Sequence, residues 1–132
     1  MKYFLALCLL ASLIGCNSPS TSKTQAPAPA ANLISEKKPS VIMFYANWCG
    51  YCKKMFPVFK ELQAKYNNDI NFFYIDIDTK RGGQLARQYR TKKGGVPDTQ
   101  FYNAEGELLG ERLGAIKPQE LTQLVVSLIP KK

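Results

Sequence analysis

Cys49 and Cys52, three positions apart, carry more chemical potential than any other pair in this 132-residue chain. A thiolate is a nucleophile and a soft metal ligand, and two thiols at this spacing can pass electrons as a dithiol–disulfide couple. Of the four cysteines, Cys8 lies inside an apolar leader and Cys16 closes it, which leaves Cys49 and Cys52 as the working pair. As a staple, the pair would close too short a loop to gain much chain entropy. As a structural zinc site it offers two ligands where four are needed. The chain has no histidine, which also removes Ser-His and Cys-His nucleophile pairs and the Cys-x-x-Cys-His haem attachment. The pair therefore reads as redox chemistry without a cofactor or metal. Copper(I) held by two soft sulfurs stands as the non-enzymatic alternative. Met55 could add a third soft ligand, but its apolar helical position favours packing.

Such a pair works only if the fold places it. Val41–Ala46 is a continuous apolar run with β-branched and aromatic content, as for a strand buried on both faces. From Lys53 to Tyr66, apolar residues recur at helical spacing through Met55, Phe56, Phe59 and Leu62. Cys49 thus falls where a strand feeds a helix, and unpaired N–H groups and the positive end of the helix dipole stabilise a thiolate there. Its sulfur must be ionised near neutral pH and open to solvent. Cys52, one turn on, is shielded and placed to resolve a mixed disulfide. Downstream, 70–77 reads as a buried strand, 84–89 as a short helix and 97–103 as a strand. Its hairpin partner is 107–113, and 119–129 is a closing helix. Alternating strands and helices followed by a hairpin predict a mixed sheet covered by helices.

Length permits one domain, and 45% hydrophobic with 11% aromatic residues can fill its core. The net charge of +8 is spread along the chain rather than gathered in a basic segment, so nucleic acid is not an expected partner. The first residues combine Lys2 with an apolar run from Tyr3 to Ile14, a secretory signal pattern too short to span a bilayer. Leu13-Ile14-Gly15-Cys16 resembles the lipobox of bacterial lipoproteins, in which Cys16 becomes the lipidated first residue; an ordinary cleavage site is the alternative. Residues 17–31 are rich in Ser, Thr, Pro and Ala, as for a flexible tether, with a root-mean-square span of roughly 20 Å. The expected organisation is a removed signal peptide (1–15), a lipidated cysteine and tether (16–32) and a folded domain (33–132). That places the chain in a bacterial envelope, facing the periplasm or extracytoplasmic space.

Trp48-Cys49-Gly50-Tyr51-Cys52-Lys53, with Pro57 five residues past the second cysteine, then Val96-Pro97 and Gly114-Ala115, resembles the thioredoxin superfamily over roughly residues 33–129. The resemblance implies a three-layer α/β/α thioredoxin-like fold, trimmed to about four strands because the seventeen residues between Ala31 and Cys49 are too few for the usual first strand and helix. It implies Cys49 as nucleophile, Cys52 as resolving thiol and Pro57 as a kink in the helix. Pro97 becomes a cis-proline facing the disulfide, with Val96 pairing with substrate backbone; a simple strand-entry proline is the alternative. Family members carry a buried acid six residues before the nucleophile and a lysine facing it; here Met43 and Tyr74 stand at those places. Losing both partners together is physically coherent, because either charge alone would be buried unpaired. The lysine pairs 53–54 and 92–93 would lower the Cys49 pKa and attract acidic partners, or simply be solvated. The implied function is a membrane-anchored, monomeric thiol–disulfide oxidoreductase reducing exported proteins and recharged by a membrane electron donor. Gly50-Tyr51 is similar to the dipeptide of periplasmic disulfide isomerases, so isomerase or oxidase activity is the nearest alternative.

Overall fold

The computed structural model describes residues 33–34, 37–89 and 94–130. The signal segment, Cys16, the tether and the lysine pair 92–93 lie outside the described residues. Among those described, the chain order is β1 (Ser40–Tyr45), α1 (Gly50–Tyr66), β2 (Asn71–Asp76), α2 (Lys80–Tyr89), β3 (Asp98–Tyr102), β4 (Leu108–Leu113) and α3 (Pro118–Ser127). The strands form one sheet in the order β2-β1-β3-β4. β2 runs parallel to β1 with Tyr74 opposite Met43, and β3 runs antiparallel to β1 with Asp98 opposite Phe44. β4 returns antiparallel to β3, with a register shift at Phe101/Tyr102. The four-stranded mixed sheet that the sequence predicts is the sheet observed.

Side chains alternate across a strand, so β1 feeds two cores. Val41 and Met43 join Phe72 and Phe101 under Met55, Phe59 and Leu62 of α1 and Leu121 and Val125 of α3. Ile42 and Phe44 join Ile75 and Tyr102 against Leu85, Ala86 and Tyr89 of α2, with Leu33 and Ile34 packed alongside. Each fully buried aromatic or aliphatic side chain contributes roughly 1.5–3 kcal/mol. The second core also buries polar groups: Tyr102 donates to Gln100 Oε1 (2.7 Å), and Gln100 Nε2 donates to the Tyr89 carbonyl (3.1 Å) and Glu111 Oε1 (3.2 Å).

Two elements differ from their sequence reading. In place of a continuously buried strand, β2 fully buries one residue on each face, Phe72 and Ile75, because it lies at the edge of the sheet. α2 begins at Lys80 rather than at 84, since Thr79 caps it: its Oγ1 accepts from the Gly82 N–H (2.9 Å) and its carbonyl from the Gly83 N–H (2.8 Å). Gly82 is required by proximity, as a Cβ there would collide with the Asp76 carbonyl.

The sheet has two poles. β1 ends at the loop leading to Cys49, and Asp98, at the start of β3, sits opposite Phe44 at that same pole. The β3–β4 turn lies at the other, where Asn103 Oδ1 accepts the N–H groups of Glu105 and Glu107. Gly106 turns there at φ +84° and approaches Ile34 so closely that a Cβ would lie 3.3 Å from Ile34 Cγ2.

Candidate active site

The apolar β1 carries the chain out of the core at Ala46, and a turn closes as the Cys49 N–H bonds the Ala46 carbonyl at 3.1 Å. Cys49, extended at φ −78°, ψ 106°, is the N-cap of α1. Its Sγ accepts the Cys52 N–H at 3.1 Å and its carbonyl accepts the Lys53 N–H at 3.2 Å. The sulfur thus occupies the place an Asp or Ser oxygen usually fills at a helix start. With no acid in the first turn of α1, nothing there opposes negative charge on it. Cys49 and Cys52 are joined in a disulfide, with Cα atoms 5.3 Å apart.

Access is narrower than the sequence reading of a solvent-open sulfur. Cys49 is only 5% exposed and Cys52 fully buried, both within the α1/α3 core. The cap bond and the disulfide together tuck the first sulfur under the helix end. Its chain neighbours are the opposite: Trp48 is 70% exposed, Tyr51 63%, and Gly50 and Lys53 are exposed as well. Pro57 lies on the exposed face of α1, where its missing N–H leaves the Lys53 carbonyl without the usual helical donor.

The Val96–Pro97 peptide is cis; Pro97 is fully buried and Val96 packs on the cluster that contains both cysteines. Gly114, at φ +92°, donates its N–H to the Pro97 carbonyl at 2.8 Å and so ties the end of β4 to this loop. The positive φ is the physical requirement for glycine there.

Met43 and Tyr74 stand opposite each other in register, so both places of the acid–lysine pair hold uncharged side chains; the buried acid among the described residues is Asp98, on β3. Tyr74 donates to Gln63 Oε1 (3.1 Å) and stacks among Phe56 and Phe59, and burial raises its hydroxyl pKa. On the other face burial pushes the Tyr89 pKa up to about 12. Tyr102 rises further, through burial first and then the nearby Tyr89, Asp98 and Glu111. Sequence reasoning missed one clamp on the site: Asn47 Nδ2 donates to Asp76 Oδ2 at 2.9 Å, tying the loop before Cys49 to the end of β2. Only the parallel register of β1 and β2 brings these two together, and no local pattern signals it. Among the described residues, no three His, Cys, Asp or Glu gather as a metal site.

A disulfide capping a helix that follows a central strand, with a cis-proline loop at the same pole, defines a thioredoxin-fold dithiol–disulfide site. The chain belongs to the thioredoxin family, whose pattern matches residues 22–127. It is 33% identical over 93 residues to a thioredoxin of Mycoplasmoides gallisepticum, covering 70% of this chain and 87% of that one. It is 28% identical over 109 residues to the chloroplastic thioredoxin-like protein HCF164 of Arabidopsis thaliana, covering 83% of this chain. With the thiol:disulfide interchange protein TxlA homolog of Synechocystis it shares 26% over 108 residues, 82% of this chain. It spans 41% and 59% of the lengths of the latter two. Oxidised thioredoxin O2 of Arabidopsis thaliana superposes with a TM-score of 0.64 at 28% identity, over 76% of this chain and 83% of that one. The domain is accordingly a thioredoxin-like thiol–disulfide oxidoreductase domain.

Proposed function

We propose that the protein is a membrane-anchored, extracytoplasmic oxidoreductase that reduces disulfides of exported proteins. The observation that carries the chemistry is Cys49 Sγ at the N-cap of α1, accepting the Cys52 N–H and bonded to Cys52. In the reduced protein that N–H and the helix dipole favour a Cys49 thiolate. The thiolate attacks one sulfur of the substrate disulfide, forming a Cys49–substrate bond while the other substrate sulfur leaves as a thiolate. Cys52 gives up its proton to water or to the departing sulfur, attacks Cys49 Sγ and expels the second substrate thiol. Two electrons pass to the substrate, and the Cys49–Cys52 disulfide re-forms. A dithiol donor at the membrane then returns the protein to its reduced state. Exposed Trp48, Gly50 and Tyr51 offer the surface on which a partner can settle and draw the 5%-exposed sulfur into reach, with Val96 as backbone partner.

The reducing direction is supported by the thioredoxins among the relatives, and exchange between proteins by the interchange protein of Synechocystis. Anchoring is supported by Lys2, the apolar leader and Leu13-Ile14-Gly15-Cys16. Cys52→Ser halts the cycle after the first step, so covalent Cys49-linked partners should accumulate in envelope extracts and disappear on adding dithiothreitol. No such adducts, with the protein folded, would defeat the exchange route. For the anchor, Cys16→Ser should move the protein from the membrane to the soluble fraction, and unchanged partitioning would defeat it.

A further inference from the structure

Between α1 and α3 lies a groove of about 310 Å3 that shares only Tyr51 with the surface already assigned to the exchange partner. Its floor is apolar and buried, formed by Met55, Ile116 and Leu121, and Tyr51, Lys54 and Val58 stand along its α1 side. Tyr51 belongs both to the Cys-x-x-Cys segment and to the groove, so one wall of the groove is contributed by that segment. Residues at 51, 54, 55 and 58 share one face of a helix and run roughly 10 Å along its axis, at about 1.5 Å per residue. The volume lies at the small end of ligand-sized cavities and suits one large apolar side chain.

The rim is positive. The Lys54 ammonium lies over the Tyr51 ring, 5.7 Å from its centroid, which holds the charge at the mouth. Lys117 is the exposed N-cap of α3, and α3 joins α1 in turning a helix N-terminus toward this pole. The acid in the first turn of α3, Glu120, is paired with Arg112 at 3.4 Å, and the first turn of α1 has none.

We propose that this groove seats an apolar side chain flanked by acidic residues on the protein whose disulfide is reduced, within a few residues of its reactive cysteine, because Tyr51 of the groove stands two positions from Cys49. The inference rests on the disulfide-reducing reading. Phe or Leu fills the groove while neighbouring carboxylates meet Lys54 and Lys117. Specificity thereby comes from a surface separate from the loop that pairs with substrate backbone.

The test uses the reduced full chain and disulfide-bonded peptide dimers carrying Phe three residues from the cysteine, flanked either by Asp or by Lys. At low ionic strength kcat/KM should be about tenfold higher for the Asp-flanked peptide. The ratio should collapse toward one near about 0.5 M salt. Replacing Phe by Ala in the Asp-flanked peptide should cost about tenfold. Lys54→Glu and, separately, Lys117→Glu should each lower the Asp-to-Lys ratio; because both peptides meet the same thiol, the ratio cancels any change in Cys49 reactivity. Equal rates for the two peptides, or a ratio unmoved by both variants, overturns the inference. Bis(2-hydroxyethyl) disulfide, small and uncharged, separates the two readings. If it is reduced while the peptides show no discrimination, the groove fails and the exchange chemistry stands; if neither it nor any peptide is reduced, both fail.

Discussion

Putting a carboxylate into the middle of the sheet tests how this core dispenses with charge. Met43 is fully buried, stands opposite Tyr74 and packs in the cluster that holds Cys52. Met43→Asp removes an apolar side chain worth about 1.5–3 kcal/mol. It also leaves a carboxylate with no facing cation, which costs roughly 3–5 kcal/mol more. The total, about 5–8 kcal/mol, rivals the whole stability of a typical domain at about 5–15 kcal/mol, so the variant should be barely folded at neutral pH. Burial raises the carboxyl pKa above its unfolded value, so the neutral form's advantage is full below the unfolded pKa and lost as pH rises through the folded one. The variant should therefore be more stable near about pH 5 than near about pH 8. Tyr74→Lys supplies the cation. It gives up the 3.1 Å bond to Gln63, worth about 1 kcal/mol, but combined with Met43→Asp it should show a coupling of about 2 kcal/mol. Urea unfolding of both singles and the double at the two pH values closes the cycle. A cost below about 2 kcal/mol for Met43→Asp at the higher pH, or zero coupling, would refute the reasoning.

In a Cys52→Ser chain the capping N–H remains, and with the helix dipole it should favour the Cys49 thiolate by about 2 kcal/mol less a burial penalty. Alkylation near about pH 6 should then run at least tenfold faster, by rough conversion, than for a cysteine in a free peptide; parity would remove the activation. Gly82→Ala should destabilise by about 1–3 kcal/mol through collision with the Asp76 carbonyl, whereas alanine at an unconstrained helical glycine normally stabilises, so the sign in urea unfolding decides. Tyr89, pushed to about 12, and Tyr102, raised further, ionise earlier in the unfolded chain, from the ordinary value of 10.0. Their stabilisation is complete below that value and is lost as pH climbs to about 12; Tyr102→Phe should flatten the decline in urea midpoint, and an unchanged slope would exclude this cause.

The site was readable where local pattern and chemistry coincide. The 3.6-residue repeat of Met55, Phe59 and Leu62 places α1, and with it the cysteine pair at its start. What lay beyond the sequence depends on partners distant in the chain. Gly82 and Gly83 look like helix breakers until the Asp76 carbonyl and the Thr79 cap come against them. β2 carries enough apolar residues for a central strand, and its place at the edge follows from strand order, which has no local signature. Gln100, a polar side chain, is fully buried because Tyr89, Tyr102 and Glu111 converge on it from three elements. The nearly closed Cys49 reflects the cap bond to Cys52, set by a backbone angle rather than by composition.

The position of Ile34 against the hairpin turn has a mechanical outcome. Force applied at the β3–β4 turn enters the domain at the pole remote from the sulfurs, separated from them by the length of β1, roughly 20 Å for a six-residue strand. A fusion or a bead gripping the protein on that side leaves the reactive pole pointing outward, free of steric competition from whatever does the gripping.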